Sequence, residues 1–82
     1  MTTEQRIRTF IRDDLNKGKD VGELADDYPL IENQVIDSLG IFETVQFLER
    51  EFGTSIEDED LLLDNFGTIA DIARMMESKN AT

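Results

Sequence analysis

The sequence predicts an all-α fold, a small four-helix bundle with three principal helices, one short helix and a long loop between the first two helices. Three observations support this fold class. Apolar residues recur at helical spacing in three segments, capping residues and glycines mark the segment ends, and no useful stretch alternates as a strand would. At 82 residues, the chain fits a single domain over residues 1–82.

The first helix is predicted over about residues 3–16. Its apolar positions fall on one helical stripe, Ile7, Phe10, Ile11 and Leu15. Thr2 and Gln5 have the spacing of a capping box, and Asn16-Lys17-Gly18 supplies a helix end.

Residues 17–37 form the predicted long loop, because they show no sustained period and contain Pro29, the single proline. A short turn of helix is expected at residues 21–25. Five apolar residues are expected to anchor the loop onto the core: Leu24, Tyr28, Leu30, Val35 and Ile36. Loops of this length in compact domains are commonly functional, so a role in function is predicted.

The second helix is predicted from Asp37-Ser38 to Phe52, with Gly53 as its stop. Counting about 100° per residue predicts a core face made of Ile41, Phe42, Val45, Leu48 and Phe52. The same count places Phe47 nearly opposite that face, either folded under the long loop or exposed as an anchor for a partner or a second copy. A flank leading away from Ser38 is the predicted partner surface, and it consists of Leu39, Glu43, Gln46 and Arg50.

Two further helices complete the prediction. Ser55-Ile56-Glu57-Asp58 resembles a capping box that opens a short acidic helix through Leu62 or Leu63. Thr68-x-x-Asp71 opens the last helix, whose apolar positions are Ile69, Ile72, Ala73 and Met76. A frayed tail is expected over about residues 78–82.

Composition excludes several chemistries. The chain has no Cys and no His, so thiolate nucleophiles, disulfides, imidazole bases and Cys- or His-ligated metals are excluded. The acidic run Asp58-Glu59-Asp60 lacks the spacing of a calcium loop, and no metal site or catalytic residue is predicted.

Charge predicts the kind of partner. Eight basic residues oppose 19 acidic ones, a net charge of −11, which disfavours nucleic acids and anionic membranes and favours basic protein surfaces. No apolar run is long enough to span a membrane, and the first residues do not resemble a signal peptide. We therefore expect a soluble, cytoplasmic, monomeric protein without membrane insertion.

Ser38 is the residue that these patterns single out. A serine that opens a helix is most often an N-cap. A phosphodiester formed on its hydroxyl would, however, lie against free backbone N–H groups at the positive end of the helix dipole. The long loop before Ser38 would leave the hydroxyl accessible.

The string Val35-Ile36-Asp37-Ser38-Leu39 resembles the attachment site of acyl carrier proteins. The resemblance covers nearly the whole chain, because Phe52-Gly53, the segment 56–62 and Phe66-Gly67-Thr68-Ile69 also match in register. It implies a carrier without enzymatic activity, in which a phosphopantetheinyl transferase moves 4′-phosphopantetheine from coenzyme A to Ser38. The terminal thiol of the arm would carry thioesters and would supply the sulfur chemistry that a chain without cysteine lacks.

The resemblance also implies partner-binding roles. Asp37 and Leu39 would help the transferase recognise the site, and the helix after Ser38 would dock on basic patches of loading ligases and biosynthetic enzymes. By position, Glu43 matches an acidic contact residue of the family, while Gln46 and Arg50 match other contact positions.

This sequence departs from the fatty-acid carriers at three positions. Gly40 replaces an acidic residue, Ile41 replaces a small polar one, and Arg50 adds a positive charge to a negative flank. The cargo is therefore open between acyl groups of fatty-acid, polyketide or related pathways and the amino acids of a stand-alone aminoacyl or peptidyl carrier. An alternative of another class is an acidic helical adaptor without a prosthetic group.

Overall fold

The computed structural model describes residues 2–80 and contains four α-helices and no strand within that range. The helices are α1 (Thr3–Thr9), α2 (Ser38–Phe52), α3 (Leu63–Phe66) and α4 (Ile69–Asn80). Helix α1 continues as a π-helix over Phe10–Leu15, and a 3₁₀ turn covers Asp58–Asp60. The all-α bundle with a long loop between the first two helices is confirmed.

The first helical unit follows its sequence signals at both ends. The Thr2 side chain accepts a hydrogen bond from the Gln5 N–H, and the Gln5 side chain accepts one from the Thr2 N–H, which completes the capping box. At the other end, the Asn16 N–H donates to the Ile11 carbonyl five residues earlier, as in a π-helix. The unit therefore spans the predicted residues, but its second half is π-helical.

The core is assembled from all four helices and the long loop. Its buried apolar side chains are Ile7, Phe10, Ile11, Leu24, Leu30, Val35, Ile36, Phe47, Leu48, Phe66, Ile69, Ile72, Ala73, Met75 and Met76. Helix α1 packs against α4, the π-helix packs against α2, and α3 packs against α4. Four of the five expected loop anchors are buried, and Tyr28 packs against the core as a partly buried side chain.

Helix α2 is rotated relative to the predicted core face. Phe42, predicted inside, is 59% exposed, whereas Phe47, predicted opposite the core, is only 8% exposed. Phe47 stacks on Phe10 of the π-helix at a ring separation of 4.2 Å. The face turned inward includes Gly40 and Thr44, which a count of large apolar residues overlooks. Gly40 has no side chain, and this lets Leu15 of the π-helix lie close to the α2 backbone.

The short helix lies later than predicted. Instead of a helix from Ser55 to about Leu62, the chain forms the 3₁₀ turn Asp58–Asp60 and then α3. The Glu57 N–H donates to the Asp60 carboxylate at 2.9 Å, so the acidic run caps a 3₁₀ turn rather than opening an α-helix. Residues 21–25, predicted as a helical turn, are not helical either.

The last helix begins as predicted. The Thr68 hydroxyl accepts a hydrogen bond from the Asp71 N–H at 3.0 Å. Helix α4 then continues through Asn80, into the expected frayed tail, and residues 81 and 82 lie outside the described residues. None of the helices within residues 2–80 combines the length and apolar character needed to cross a membrane.

Candidate functional site

Ser38 is the first helical residue of α2, and its N-cap is Asp37 rather than Ser38 itself. The Asp37 carboxylate accepts a hydrogen bond from the Gly40 N–H at 2.7 Å. The competing interpretation of Ser38 as a simple N-cap is therefore wrong: its side chain is exposed and its hydroxyl makes no hydrogen bond within residues 2–80. Because Asp37 caps the helix, the Ser38 hydroxyl remains available for chemistry.

The backbone N–H groups at the start of α2 are also available. The first two, of Ser38 and Leu39, make no hydrogen bond to another described residue. Helix N-termini expose such donors together with the positive end of the helix dipole, which favours a negatively charged group. The environment of the Ser38 hydroxyl can therefore accommodate a phosphodiester.

The segment before Ser38 is fixed by a tight turn. The N–H groups of Val35 and Ile36 donate to the Leu30 carbonyl at 2.8 and 3.3 Å, and both side chains are buried. Buried Asn16 donates from its side-chain amide to the carbonyls of Val35 and Ile11, at 3.2 and 2.9 Å. The end of the first helical unit thereby holds the turn that leads into Ser38.

The rest of the long loop is attached to the bundle at several points. Its Leu30 N–H donates to the Gly67 carbonyl at 2.8 Å, and the Ala70 N–H donates to the Asp26 carbonyl at 2.9 Å. Arg8 donates to the Leu24 carbonyl at 2.6 Å. The loop is long in sequence but it is tied to α1, α3 and α4, so it gives Ser38 a defined position.

An open groove of about 470 Å³ lies beside Ser38. Its walls come from the loop, from the start of α2 and from α3, and they include Lys19, Ile31, Asp37, Ile41 and Leu63. The groove combines apolar side chains with the charged side chains of Lys19 and Asp37. It leaves room next to the hydroxyl for a flexible covalent group.

The predicted partner flank lies on the surface of α2. Leu39, Glu43, Gln46 and Arg50 are all exposed, and Leu39 is 65% exposed. Phe47 is not part of this surface, and its proposed role as a partner anchor is wrong, because it is buried between Phe10 and Phe52.

Phe42 takes the exposed place that Phe47 was expected to hold. We call Leu39, Phe42, Glu43, Gln46 and Arg50 the α2 face. Phe42 lies one helical turn after Ser38 and was missed because apolar counting placed it in the core. The signal that could have found it is the pair Gly40 and Thr44, small residues four apart that mark a close helix contact.

The α2 face has little net charge. Two nearby acids of the helix are engaged elsewhere: Glu51 pairs with Arg6 at 2.6 Å, and Glu49 accepts a hydrogen bond from the Ile56 N–H at 2.8 Å. Glu43 is therefore the single acid of this face, and it is opposed by Arg50.

Further exposed apolar residues lie on the segment before and at the start of α3: Leu61, Leu62 and Leu63.

Comparison with known families decides what kind of protein has this site. The family model described as "Phosphopantetheine attachment site" matches residues 5–76, from α1 through most of α4. The chain belongs to this phosphopantetheine-binding family. The matched range includes the start of α2 described above.

Curated relatives carry the name acyl carrier protein. The carrier is 36% identical to that of Exiguobacterium sp. (strain ATCC BAA-1283 / AT1b) over 62 residues, 76% of each chain. It is 30% identical to that of Thermotoga maritima over 74 residues, which cover 90% of this chain and 86% of the relative. A chain from a solved structure described as "Crystal structure of FAD-dependent dehydrogenase" matches with a TM-score of 0.75 and 25% identity, over 84% of this chain and 96% of that one.

These findings establish the class of the protein. It is a phosphopantetheine carrier and not an enzyme, and its cofactor is a covalently attached 4′-phosphopantetheine. Its chemistry is performed by partner enzymes, which include a phosphopantetheinyl transferase and biosynthetic enzymes. The residues at the start of α2 fit the cofactor, because the exposed Ser38 hydroxyl has no hydrogen-bond partner among residues 2–80 and lies beside an open groove.

Proposed function

We propose that Ser38 bears the 4′-phosphopantetheine arm and that the carrier presents acyl thioesters to enzymes of fatty-acid, polyketide or related biosynthesis. The observation that carries this proposal is the Asp37-Ser38-Leu39 sequence at the start of α2, with an exposed hydroxyl that has no hydrogen-bond partner within residues 2–80. The names of the curated relatives support acyl groups as the cargo.

The attachment chemistry requires little of the carrier itself. The Ser38 oxygen forms a bond to the pantetheine-side phosphorus of the coenzyme A diphosphate, and the bond from that phosphorus to the bridging oxygen breaks. The hydroxyl proton passes to a base of the transferase, and adenosine 3′,5′-bisphosphate leaves with the bridging oxygen. Asp37 acts through the backbone, because its carboxylate holds the Gly40 N–H and so fixes the first turn of α2. The thiol at the end of the arm then exchanges acyl groups as thioesters.

Intact-mass measurement tests the attachment. The carrier is incubated with coenzyme A and a broad-specificity transferase, and we expect a gain of one phosphopantetheine in the wild type and in Ser55→Ala. Ser55 is an exposed serine outside α2, so its variant is the matched control. The gain should be lost in Ser38→Ala. An unchanged mass in the wild type, or a gain that persists in Ser38→Ala, would overturn the proposal.

The α2 face is the surface that we assign to the partners. The transferase, an acyl- or aminoacyl-loading ligase and the downstream enzymes would each cover Leu39 and Phe42 in order to reach the arm, with basic patches that meet the acidic carrier. We propose that the carrier acts as one domain over residues 1–82, as a monomer, in the cytoplasm where coenzyme A is available to the transferase.

An amino acid is the alternative cargo. Gly40 is buried and Arg50 lies on the α2 face, so this face lacks the acids that fatty-acid carriers present. Offering the phosphopantetheine form to fatty-acyl and aminoacyl ligases distinguishes the two. Loading with fatty acids supports the acyl assignment, whereas exclusive loading with amino acids would replace it.

The structural match adds one candidate partner class. A chain of similar length and fold comes from a structure described as that of an FAD-dependent dehydrogenase, which supports a flavin-dependent oxidation as one step on cargo held by this carrier. The test is the mass of the loaded carrier after incubation with an FAD-dependent dehydrogenase. Loss of two hydrogens from the cargo supports this partner, and an unchanged cargo mass contradicts it.

A further inference from the structure

The basic residues of the carrier divide into paired and unpaired ones. Five of the eight form ion pairs, namely Arg6, Arg8, Arg12, Arg74 and Lys79. Lys17, Lys19 and Arg50 form none within residues 2–80. An unpaired cation is notable in a chain whose 19 acidic residues outnumber its eight basic ones.

Of these three residues, Lys19 is the one that lines the spaces around the start of α2. It lines the groove beside Ser38 and also a second hollow of about 270 Å³, which is likewise lined by Asp37 and reaches Gly40 and Glu43. Lys17, two residues earlier, and Arg50, on the last turn of α2, line neither of these spaces.

The backbone that carries Lys19 is held against the segment before Ser38. The Lys19 N–H donates to the Asn16 carbonyl at 2.9 Å, and the buried Asn16 side chain donates to the Val35 carbonyl at 3.2 Å. Gly18, with a φ of 83°, makes the turn between them. The position of Lys19 therefore follows from the same contacts that position Ser38.

We propose that Lys19 is the cationic contact of the phosphodiester attached to Ser38. The inference rests on the proposed function, and it names the groups that hold the fixed end of the arm: the Lys19 ammonium and the free N–H groups of Ser38 and Leu39. The Asp37 carboxylate offers the phosphodiester no hydrogen-bond donor, and it already accepts a hydrogen bond from the Gly40 N–H.

The local charges explain why a cation is needed there. Attachment adds a negative charge beside Asp37 and near Glu43, on a carrier whose net charge is already −11. Like charges at short distance destabilise one another, and an ammonium group offsets that repulsion. Lys19 is the basic side chain that lines both spaces, and it shares both of them with Asp37 and the second with Glu43.

The test compares Lys19→Gln with Lys17→Gln, which changes the net charge equally at a neighbouring exposed site. Each variant is converted to its phosphopantetheine form, and complete conversion is confirmed by intact mass. We expect the ³¹P NMR signal of the phosphodiester to shift by more than its line width in Lys19→Gln and to stay at the wild-type position in Lys17→Gln. High salt should reduce the difference, because it screens an exposed ion pair.

The lysine side chains give a second readout that does not depend on the phosphorus signal. On attachment, the ε-methylene signals of Lys19 should move and those of Lys17 should not. Identical ³¹P positions in wild type and Lys19→Gln, measured on fully converted protein, would overturn the inference. Failure of the wild type to gain any mass would instead contradict the attachment at Ser38, so the two failures are distinguishable.

Discussion

Ser38 and Phe42 lie one helical turn apart on the exposed side of α2, so an enzyme that reaches the Ser38 hydroxyl must also cover Phe42. Phe47, five residues further along, points the other way and stacks on Phe10 with an angle of 9° between the rings. The two phenylalanines therefore have opposite roles. One stabilises the bundle, and the other is available to partners.

Replacing each phenylalanine with alanine separates these roles. We expect Phe47→Ala to lower the free energy of unfolding by about 3–4 kcal/mol, because it leaves a cavity against Phe10 and Phe52. Phe42→Ala should cost less than about 1 kcal/mol, because its ring is mostly in solvent. Denaturant unfolding measures both, and Phe47→Leu serves if the alanine variant does not fold. Equal losses in the two alanine variants would contradict the orientation of α2.

The close surroundings of Gly40 predict that a side chain at this position destabilises the carrier. A Cβ at this position would lie 3.3 Å from an Asp37 carboxylate oxygen and 3.3 Å from a methyl carbon of Ile36. The acid that fatty-acid carriers have here would be buried beside another carboxylate. We expect Gly40→Asp to lower the free energy of unfolding by about 2 kcal/mol or more. Gln46→Asp, at an exposed position of the same helix, should change it by about 0.5 kcal/mol or less.

These residues also show how far the sequence could predict the site. Ser38 and the exposed flank follow from local signals, because the motif and the helical period are present in neighbouring residues. The capping role of Asp37 was not predicted. The exchange of Phe42 and Phe47 does not follow from local signals either. It depends on the close approach of the π-helix at Gly40 and Thr44, and that contact is a property of two elements rather than one.

Helix α2 combines a fixed N-terminus with an exposed face that carries a single acid, Glu43, whereas two other acids of the helix are engaged within the fold. Glu49 accepts a hydrogen bond from the Ile56 N–H, and Glu51 forms an ion pair with Arg6. Electrostatic attraction of a basic partner to the α2 face therefore depends on Glu43. The attraction acts mainly on the rate of association.

Charge reversal at Glu43 tests that assignment. We expect Glu43→Lys to reduce kcat/KM of the transferase at low salt, and the reduction should shrink as salt is added. Glu23→Lys is the matched control, because Glu23 is an exposed acid of the long loop and the change in net charge is the same. Equal losses in the two variants would indicate that net charge, rather than the α2 face, governs the encounter.

The segment between α2 and α3 was the least predictable element. Its helix signals are weak, and its conformation is set by contacts with α4 that are distant in sequence. Asp60 pairs with Lys79 at 2.6 Å, and Asn65 donates to the Asp60 carbonyl at 2.8 Å. Sequence periodicity carries no information about such contacts, which explains the displaced short helix.

The Asp60–Lys79 pair predicts a dependence of stability on pH. The hydrogen bond from Lys79, followed by that from the Glu57 N–H, holds the pKa of Asp60 below its usual value. The stabilisation is therefore present above the ordinary carboxyl pKa and is lost as pH falls through the lowered one. We expect Asp60→Asn to be less stable than wild type near neutral pH, and the two melting temperatures to converge in acid. Asp58→Asn, at an exposed position of the same turn, should follow the wild-type curve.

At the scale of the whole molecule, the charge pattern and the small size act together. The carrier measures 36 × 26 × 21 Å, whereas charges in physiological salt are screened over about 8 Å. A partner on the α2 face therefore senses the groups around Ser38 more strongly than the total of −11. We expect the net negative charge to repel unrelated anions, and the few groups near Ser38 to determine which enzymes bind.

Peptide mapping of the coenzyme A-treated carrier identifies the residue that bears the phosphopantetheine. Trypsin cleaves after Lys19 and Arg50, and the peptide covering residues 20–50 contains Ser38 as its single serine. We predict that the whole mass of one phosphopantetheine resides on this peptide and that fragmentation places it on Ser38. An unmodified 20–50 peptide, or a modification located on the peptides that contain Ser55 or Ser78, would contradict attachment at Ser38.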